Sequence, residues 1–286
     1  MTLEILDEQQ HLVRRYSSSD KPEPLEKTAG EHPIPMYWVR PTQILSASAG
    51  MHRFVWDLHY APPESLSHEF PISAIVHDTP KHPLGAWVVP GNYVVKLTVD
   101  GKSYSQPLVV KLDPRIKTSL ADLRKQFEME NGSTEDMNES FEALSQVRSV
   151  RAQLKERSAK AGKGAVADAI AALDKQAAEL EGAAQSNFFG LPPGAKQPEN
   201  FSSLNQHFGG LLSVADSADA APTTQATAVF RQLQEDLQKL IVRWAKIRQQ
   251  DIPALNAELK KSGLVPIDPN KSADTPAADT DGDDEP

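Results

Sequence analysis

The chain contains no cysteine. That excludes disulfides, Cys-ligated zinc, iron–sulfur clusters and a thiolate nucleophile, and it leaves the redox compartment open. No stretch reaches the roughly 18–20 apolar residues that a membrane-spanning helix needs. The opening Met1-Thr-Leu-Glu-Ile-Leu-Asp-Glu-Gln-Gln has no basic segment followed by an apolar one, so no signal peptide is expected. Positive charge is also scarce, with 30 Lys and Arg against 39 Asp and Glu and a net charge of −9. A nucleic-acid binder normally shows a basic face, so nucleic acid is not expected as a partner.

The acidic excess is concentrated at one end. From Ile267 to Pro286 seven acids stand against Lys271 alone, which is −6 of the total, and large side chains are almost missing. Such a segment cannot bury enough surface to offset its ordering entropy, so 266–286 reads as a disordered acidic tail. Asp279-Thr-Asp281-Gly-Asp283-Asp284-Glu285 has a faint calcium-loop look, but the chain ends before the twelfth-position Glu that an EF-hand requires.

Two periodicities divide the remainder near Lys117. In 1–117 the runs are short and alternate with period two. Leu3 and Ile5 alternate with polar residues, Asp7–His11 is turn-like, and Leu12, Val13 and Tyr16 resume. Phe54, Trp56, Leu58 and Tyr60 share one face of an expected half-buried strand, with Val55, Asp57 and His59 on the other. Tyr93, Val95, Leu97 and Val99 lead into Asp100-Gly101, a two-residue hairpin turn, and a return strand to Leu112. Pro33, Pro35 and Pro41, then Pro62, Pro63, Pro71, Pro80, Pro83 and Pro90, mark loop and edge structure. This predicts an antiparallel, immunoglobulin-like β-sandwich. A chain that begins inside a hairpin is expected to be the C-terminal part of something longer.

In 118–265 the period becomes 3.6. Thr118 or Ser119 is positioned to cap a helix. Met137, Phe141, Leu144, Val147, Arg151 and Leu154 form a stripe after an expected break at Asn131-Gly132. Val166, Ile170, Leu173, Ala177 and Leu180 form another, and Phe201, Leu204, Phe208, Leu211 and Ala215 a third. The longest is Val229, Leu233, Leu237, Leu240, Trp244 and Ile247. Gly162-Lys-Gly164, Gly190–Gly194 and Asp216–Pro222 are the connectors. The expected class is α+β and multidomain, a β-sandwich followed by an antiparallel helical bundle.

Chemistry is sparse. Seven of the eight histidines lie in the first 82 residues. They lack the His-Glu-x-x-His spacing that puts two imidazoles on one helix face, so they are read as exposed loop residues and no metal is assigned. The nucleophile elbow, the phosphate loop and the dinucleotide fingerprint are all missing. Gly162-Lys-Gly164 could hold an anion at a helix start, but a connecting turn is its simpler use. Trp38, Trp56 and Trp87 could build an aromatic sugar platform or simply pack a core. The candidate ligand residues are Trp38, Trp87, His77 and His82. Neither a catalytic residue nor a cofactor is assigned.

Gly50-Met-His-Arg-Phe-Val-Trp56-Asp57-Leu58-His-Tyr60 and the run from Val89-Pro90-Gly91 through Asp113-Pro114-Arg115 resemble the C-terminal region of large bacterial BNR-repeat proteins. Those proteins carry sortilin-like β-propellers and are often labelled glycosyl hydrolase or sialidase-like. Thr2–Asp7 and Leu12–Ser18 resemble the same region, and also the immunoglobulin-like module of flagellar hook-capping proteins. Leu123, Gln146–Arg151 and Trp244 through Asn256 extend the similarity, which covers about 2–265. The propeller and its Asp-box motif, Ser-x-Asp-x-Gly-x-Thr-Trp, do not occur here. No catalytic residue of that family therefore transfers to this chain. The resemblance implies a non-catalytic accessory or interaction module in a periplasmic, envelope or secreted setting. Its partner would be the cognate propeller or another protein. The alternative is a carbohydrate-binding or hydrolase-associated module using 38–87.

Overall fold

A computed structural model describes residues 1–22, 34–70, 75–182 and 199–271. Strands β1 (Thr2–Leu6), β2 (Leu12–Ser17), β3 (Gly91–Val99) and β4 (Lys102–Val110) form one antiparallel sheet in the order β2-β1-β3-β4. Helices α1 (Leu120–Ala161), α2 (Ala165–Glu181), α3 (Phe201–Ala215), α4 (Thr224–Lys246) and α5 (Ile252–Lys261) follow. Among the described residues no helix is long and apolar enough to cross a membrane.

The chain forms two compact units. One comprises Met1–Met137 with Gln206–Arg231, and the other Asn138–Asn205 with the chain from Gln232 onward. The first unit holds the sheet. Both hairpins follow their turn chemistry. Asp7 Oδ1 accepts the N–H of Gln9 at 2.9 Å and of His11 at 2.8 Å, and Gln10 takes a φ of 65°. Asp100 and Gly101 both take positive φ, 50° and 78°, as a two-residue turn with the right twist demands. Pro107 opposes Val94 and is tolerated because β4 is an edge strand.

Among the described residues the expected β-sandwich is not there. The four strands form an open sheet, and Phe54–Tyr60 joins no ladder. Among the described residues 34–90 makes only the isolated bridges Val39–Thr79, His59–Trp87 and Glu69–His82, and the prolines that punctuate it each remove a donor and fix φ. The apolar face read in Phe54, Trp56, Leu58 and Tyr60 nevertheless packs on the sheet's core of Ile5, Val13, Tyr16, Leu45, Val88 and Tyr93. The rings meet edge to face, Tyr16–Phe54 at 4.5 Å and Trp56–Tyr93 at 6.0 Å. Irregular chain thus covers the sheet where a second sheet was expected. Nor does a separate bundle follow, because the unit that holds the sheet also contains the start of α1 and residues 206–231.

Helix α1 is capped by Ser119, whose Oγ accepts the Asp122 N–H at 3.1 Å and donates to Asp122 Oδ2 at 2.8 Å. The break expected at Asn131-Gly132 is absent, and α1 runs through it. A Cβ on Gly132 would lie 2.7 Å from Phe230 Cζ, so the glycine admits a ring instead of ending a helix.

In the second unit Leu144, Val147, Val150 and Leu154 of α1 are buried, as are Ile170, Leu173, Ala177 and Leu180 of α2. Leu233, Leu237, Leu240 and Trp244 of α4 are buried too. The predicted stripe continues through a widened π-type turn, Ile247–Asp251, into α5. Pro253 lacks an N–H and cannot continue a regular helix, so it opens a new one. Beyond α5, Ile267 is 2% exposed and exchanges backbone hydrogen bonds of 2.7 and 2.8 Å with the Asn256 amide. Asp268 does the same with Gln153, at 2.9 and 2.8 Å. The rest of the expected tail, with its calcium-like string, and the Gly190–Gly194 connector lie outside the described residues.

Candidate functional site

Of the four sequence candidates, Trp38 and His77 meet at Tyr37, and Trp87 and His82 have other partners. Trp38 ends a short 3₁₀ turn, half-buried, with its Nε1 enclosed and unpartnered. Tyr37 lies edge-on to Trp38 at 6.0 Å and to His77 at 6.5 Å. His77 is exposed in a turn with φ of 60°. His82 pairs through its backbone with Glu69 at 2.9 and 3.1 Å, and its carbonyl meets His68 Nδ1. Trp56 is half-buried and donates to the His59 carbonyl at 3.0 Å. Trp87 packs with His59. These tryptophans therefore do not form an exposed row. His59 also departs from the expectation of exposed loop histidines, being 4% exposed, and His32 lies outside the described residues.

The chemistry gathers around Trp87. Its ring stacks on the His59 imidazole at 3.9 Å, its indole N–H donates to Asp216, and its backbone N–H donates to Glu130 Oε2 at 3.0 Å. Glu130 lies on α1, seven residues after Leu123 and seven before Met137, so two helical turns put all three on one face. That face is buried, and Glu130 has no exposed surface. Its Oε1 accepts from the Gln126 amide at 2.8 Å, and the same amide donates to the Ala215 carbonyl at 3.0 Å. Both donors to Glu130 are neutral. Burial without a counter-cation pushes its carboxyl up to about 7, the two hydrogen bonds oppose this, and Asp216 and Asp219 add to it.

His59 is the complementary case. Its Nδ1 sits 2.9 Å from the Asp57 carbonyl, an acceptor only, so Nδ1 carries the proton. Nε2 is left as an enclosed lone pair without a partner. Desolvation holds the imidazole below its ordinary value, against the pull of Asp57 and Asp216.

Beside Trp87 opens a cleft of about 300 Å³, walled by Leu112, Leu123 and Phe127, with Gln126, Glu130 and Asp219 among its polar groups. Among the described residues no group of three or more His, Cys, Asp or Glu is placed to hold a metal ion. Sequence reading missed Glu130 and His59. The available signal was an acid standing where the α1 stripe calls for an apolar residue.

No family model matches the chain, and neither a curated protein nor a solved structure does.

Proposed function

We propose that the chain is a non-catalytic interaction module, the C-terminal part of an exported BNR-repeat protein that works joined to a propeller. Its partner is the cognate propeller or another protein, and neither nucleic acid nor cofactor enters. The observation that carries this reading is the internal use of Glu130, a fully buried acid. Both oxygens of Glu130 and both N–H groups of Trp87 are spent on bonds within the unit. Such a network holds a segment in place and offers no free nucleophile. The resemblance at Gly50–Tyr60 and Val89–Arg115 supports the propeller setting and an envelope or secreted location.

The carbohydrate-binding reading keeps one observation in its favour. Trp87 is 40% exposed, next to carboxylates and at the rim of a cleft. Titration calorimetry of the purified chain against an isolated sortilin-like propeller domain from a protein of the resembled family should give saturable heat. Glycan-array binding that disappears in Trp87→Ala but survives in a surface control, with no propeller binding, would overturn the interaction reading.

A further inference from the structure

The second unit holds its own residues 264–271 as it would hold a separate peptide. On α1, Ser149, Gln153 and Arg157 stand four residues apart, so one helix face carries all three. Each is more than nine-tenths buried. All three act on the main chain of the strap that follows α5. Arg157 Nε–H donates to the Val265 carbonyl at 2.8 Å, and Ser149 Oγ donates to the Lys271 carbonyl at 2.7 Å. Between them the Gln153 amide accepts the Asp268 N–H at 2.9 Å and donates to the Asp268 carbonyl at 2.8 Å. From α5 the Asn256 amide treats Ile267 in the same way, at 2.7 and 2.8 Å. Rising helix positions meet falling strap positions, so the strap runs antiparallel to α1.

The side chains of the strap contribute little. Ile267 is 2% exposed, but Val265, Asp268, Asn270 and Lys271 all face water. Main-chain bonds with one side-chain socket are a recurring way to bind an extended peptide. A groove of this kind does not register whether its peptide belongs to the same chain. The covalent join is a tight turn. Gly263 takes a φ of 71°, and the N–H groups of Gly263 and Leu264 close back on the carbonyls of Lys260 and Leu259 at 3.1 and 2.8 Å.

We propose that the α1–α5 groove is an exchange interface, in which the strap of one copy of this chain seats in the groove of a second copy. A second copy is the occupant that fits, because its strap supplies, residue for residue, the sequence that these clamps and the Ile267 socket hold. Every clamp bond is remade in the exchanged pair, and only the bonds of the turn at Gly263 are given up. Reciprocal exchange closes a twofold dimer. The strap of the same chain competes at an effective concentration in the millimolar range, so exchange needs concentrated protein or a weakened turn. This inference does not rest on the propeller reading, because it concerns contacts within the second unit alone.

Gly263 supplies the lever for a test. A Cβ placed there meets nothing within 4 Å, so Gly263→Val acts through backbone strain alone, and only in the closed turn. The full chain and this variant are incubated at about 1 mM and followed by sedimentation velocity. The dimer fraction is expected to be at least about fivefold greater in Gly263→Val. Adding Ile267→Asp, which spoils the socket, should abolish the dimer. Excess synthetic peptide Gly263–Lys271 should also suppress it, in either chain, by filling the groove. Equal dimer fractions in the two chains, no dimer in either, a dimer that persists with Ile267→Asp, or one that the peptide leaves intact would each overturn the proposal. The peptide readout on the unaltered chain needs no variant to fold.

Discussion

The backbone N–H of Trp87 donates to Oε2 of Glu130 at 3.0 Å across 43 positions of sequence. It ties the end of an irregular, proline-rich segment to the inner face of a helix, through an acid that neutral donors alone surround. Its proton therefore matters to the fold.

Glu130 should make stability fall as pH rises. Its folded value, about 7, lies above the ordinary 4.5. The folded form thus holds more protons in that window, its contribution is complete below pH 4.5, and it is lost as pH rises through 7. The loss should be on the order of 3 kcal/mol. Urea melts across this range will show it, and Glu130→Gln should remove the slope whatever its absolute stability. An unchanged slope in the variant would reject the assignment.

His59 should act in the opposite sense. Burial depresses its folded value below 6.5, so its contribution is present above that pH and is lost as pH falls through the folded value. His59→Phe keeps an aromatic stack on Trp87 and cannot charge. Its melting temperature should decline less on acidification than that of the unaltered chain, and an equal decline would rule out His59 as the source.

At Gly132 two effects compete. Alanine gains about 1 kcal/mol of helix propensity. Its Cβ would stand 2.7 Å from the Phe230 ring, and overpacking of this kind costs about 1–3 kcal/mol. Net destabilisation of about 1 kcal/mol is expected for Gly132→Ala. In a Phe230→Leu background the same change should become neutral or stabilising, and a double-mutant cycle measures the reversal.

Trp244 is buried, and its Nε1–H donates to Gln146 Oε1 at 3.0 Å, which also accepts from Arg248 at 2.7 Å. Trp244→Ala should cost about 3–5 kcal/mol through lost burial and a residual cavity. Gln146→Leu, which leaves the indole N–H and a guanidinium without their acceptor, should cost about 1–3 kcal/mol. Thermal melts with tryptophan emission check both, and red, water-like Trp244 emission in the unaltered chain would contradict burial.

Truncation should separate the end of the chain into two parts. Removing residues after Lys271 deletes acids and no described contact, so a change under about 0.5 kcal/mol is expected. Removing residues after Pro266 also strips out buried Ile267 and the Asp268–Gln153 pair. That should cost about 2–4 kcal/mol. Equal melts for the two truncations would show that the segment contributes nothing.

What was legible in the sequence was local. Asp100-Gly101 announces its hairpin because few residues reach positive φ cheaply, and the stripes Ile170–Leu180 and Leu233–Ile247 announce helices because burial repeats every 3.6 residues. The face of Phe54, Trp56, Leu58 and Tyr60 was correct as a face and wrong as a strand. Alternation records which side meets the core, but a ladder needs a partner strand in register, and here only the single bridge His59–Trp87 forms. Gly132 carried the signal of a break, yet only Phe230, about a hundred positions away, shows why a glycine is tolerated inside α1.

The candidate site depended on tertiary structure almost entirely. Trp38, Trp87, His77 and His82 are chemically suitable residues that no local rule brings together; the fold brings Trp38 and His77 to the same Tyr37 ring, while Trp87 packs on His59 and His82 pairs with Glu69. Glu130 was visible only as an acid in an apolar stripe. Whether such an acid points to water or to a core is settled by what packs on its helix face. Here that is Trp87 from one distant segment and Ala215 with Asp216 from another. Period and turn chemistry are properties of neighbouring residues, and so the sequence by itself determined the helices and hairpins. The charge state of Glu130 comes from desolvation, and desolvation exists only once distant parts of the chain have closed over it.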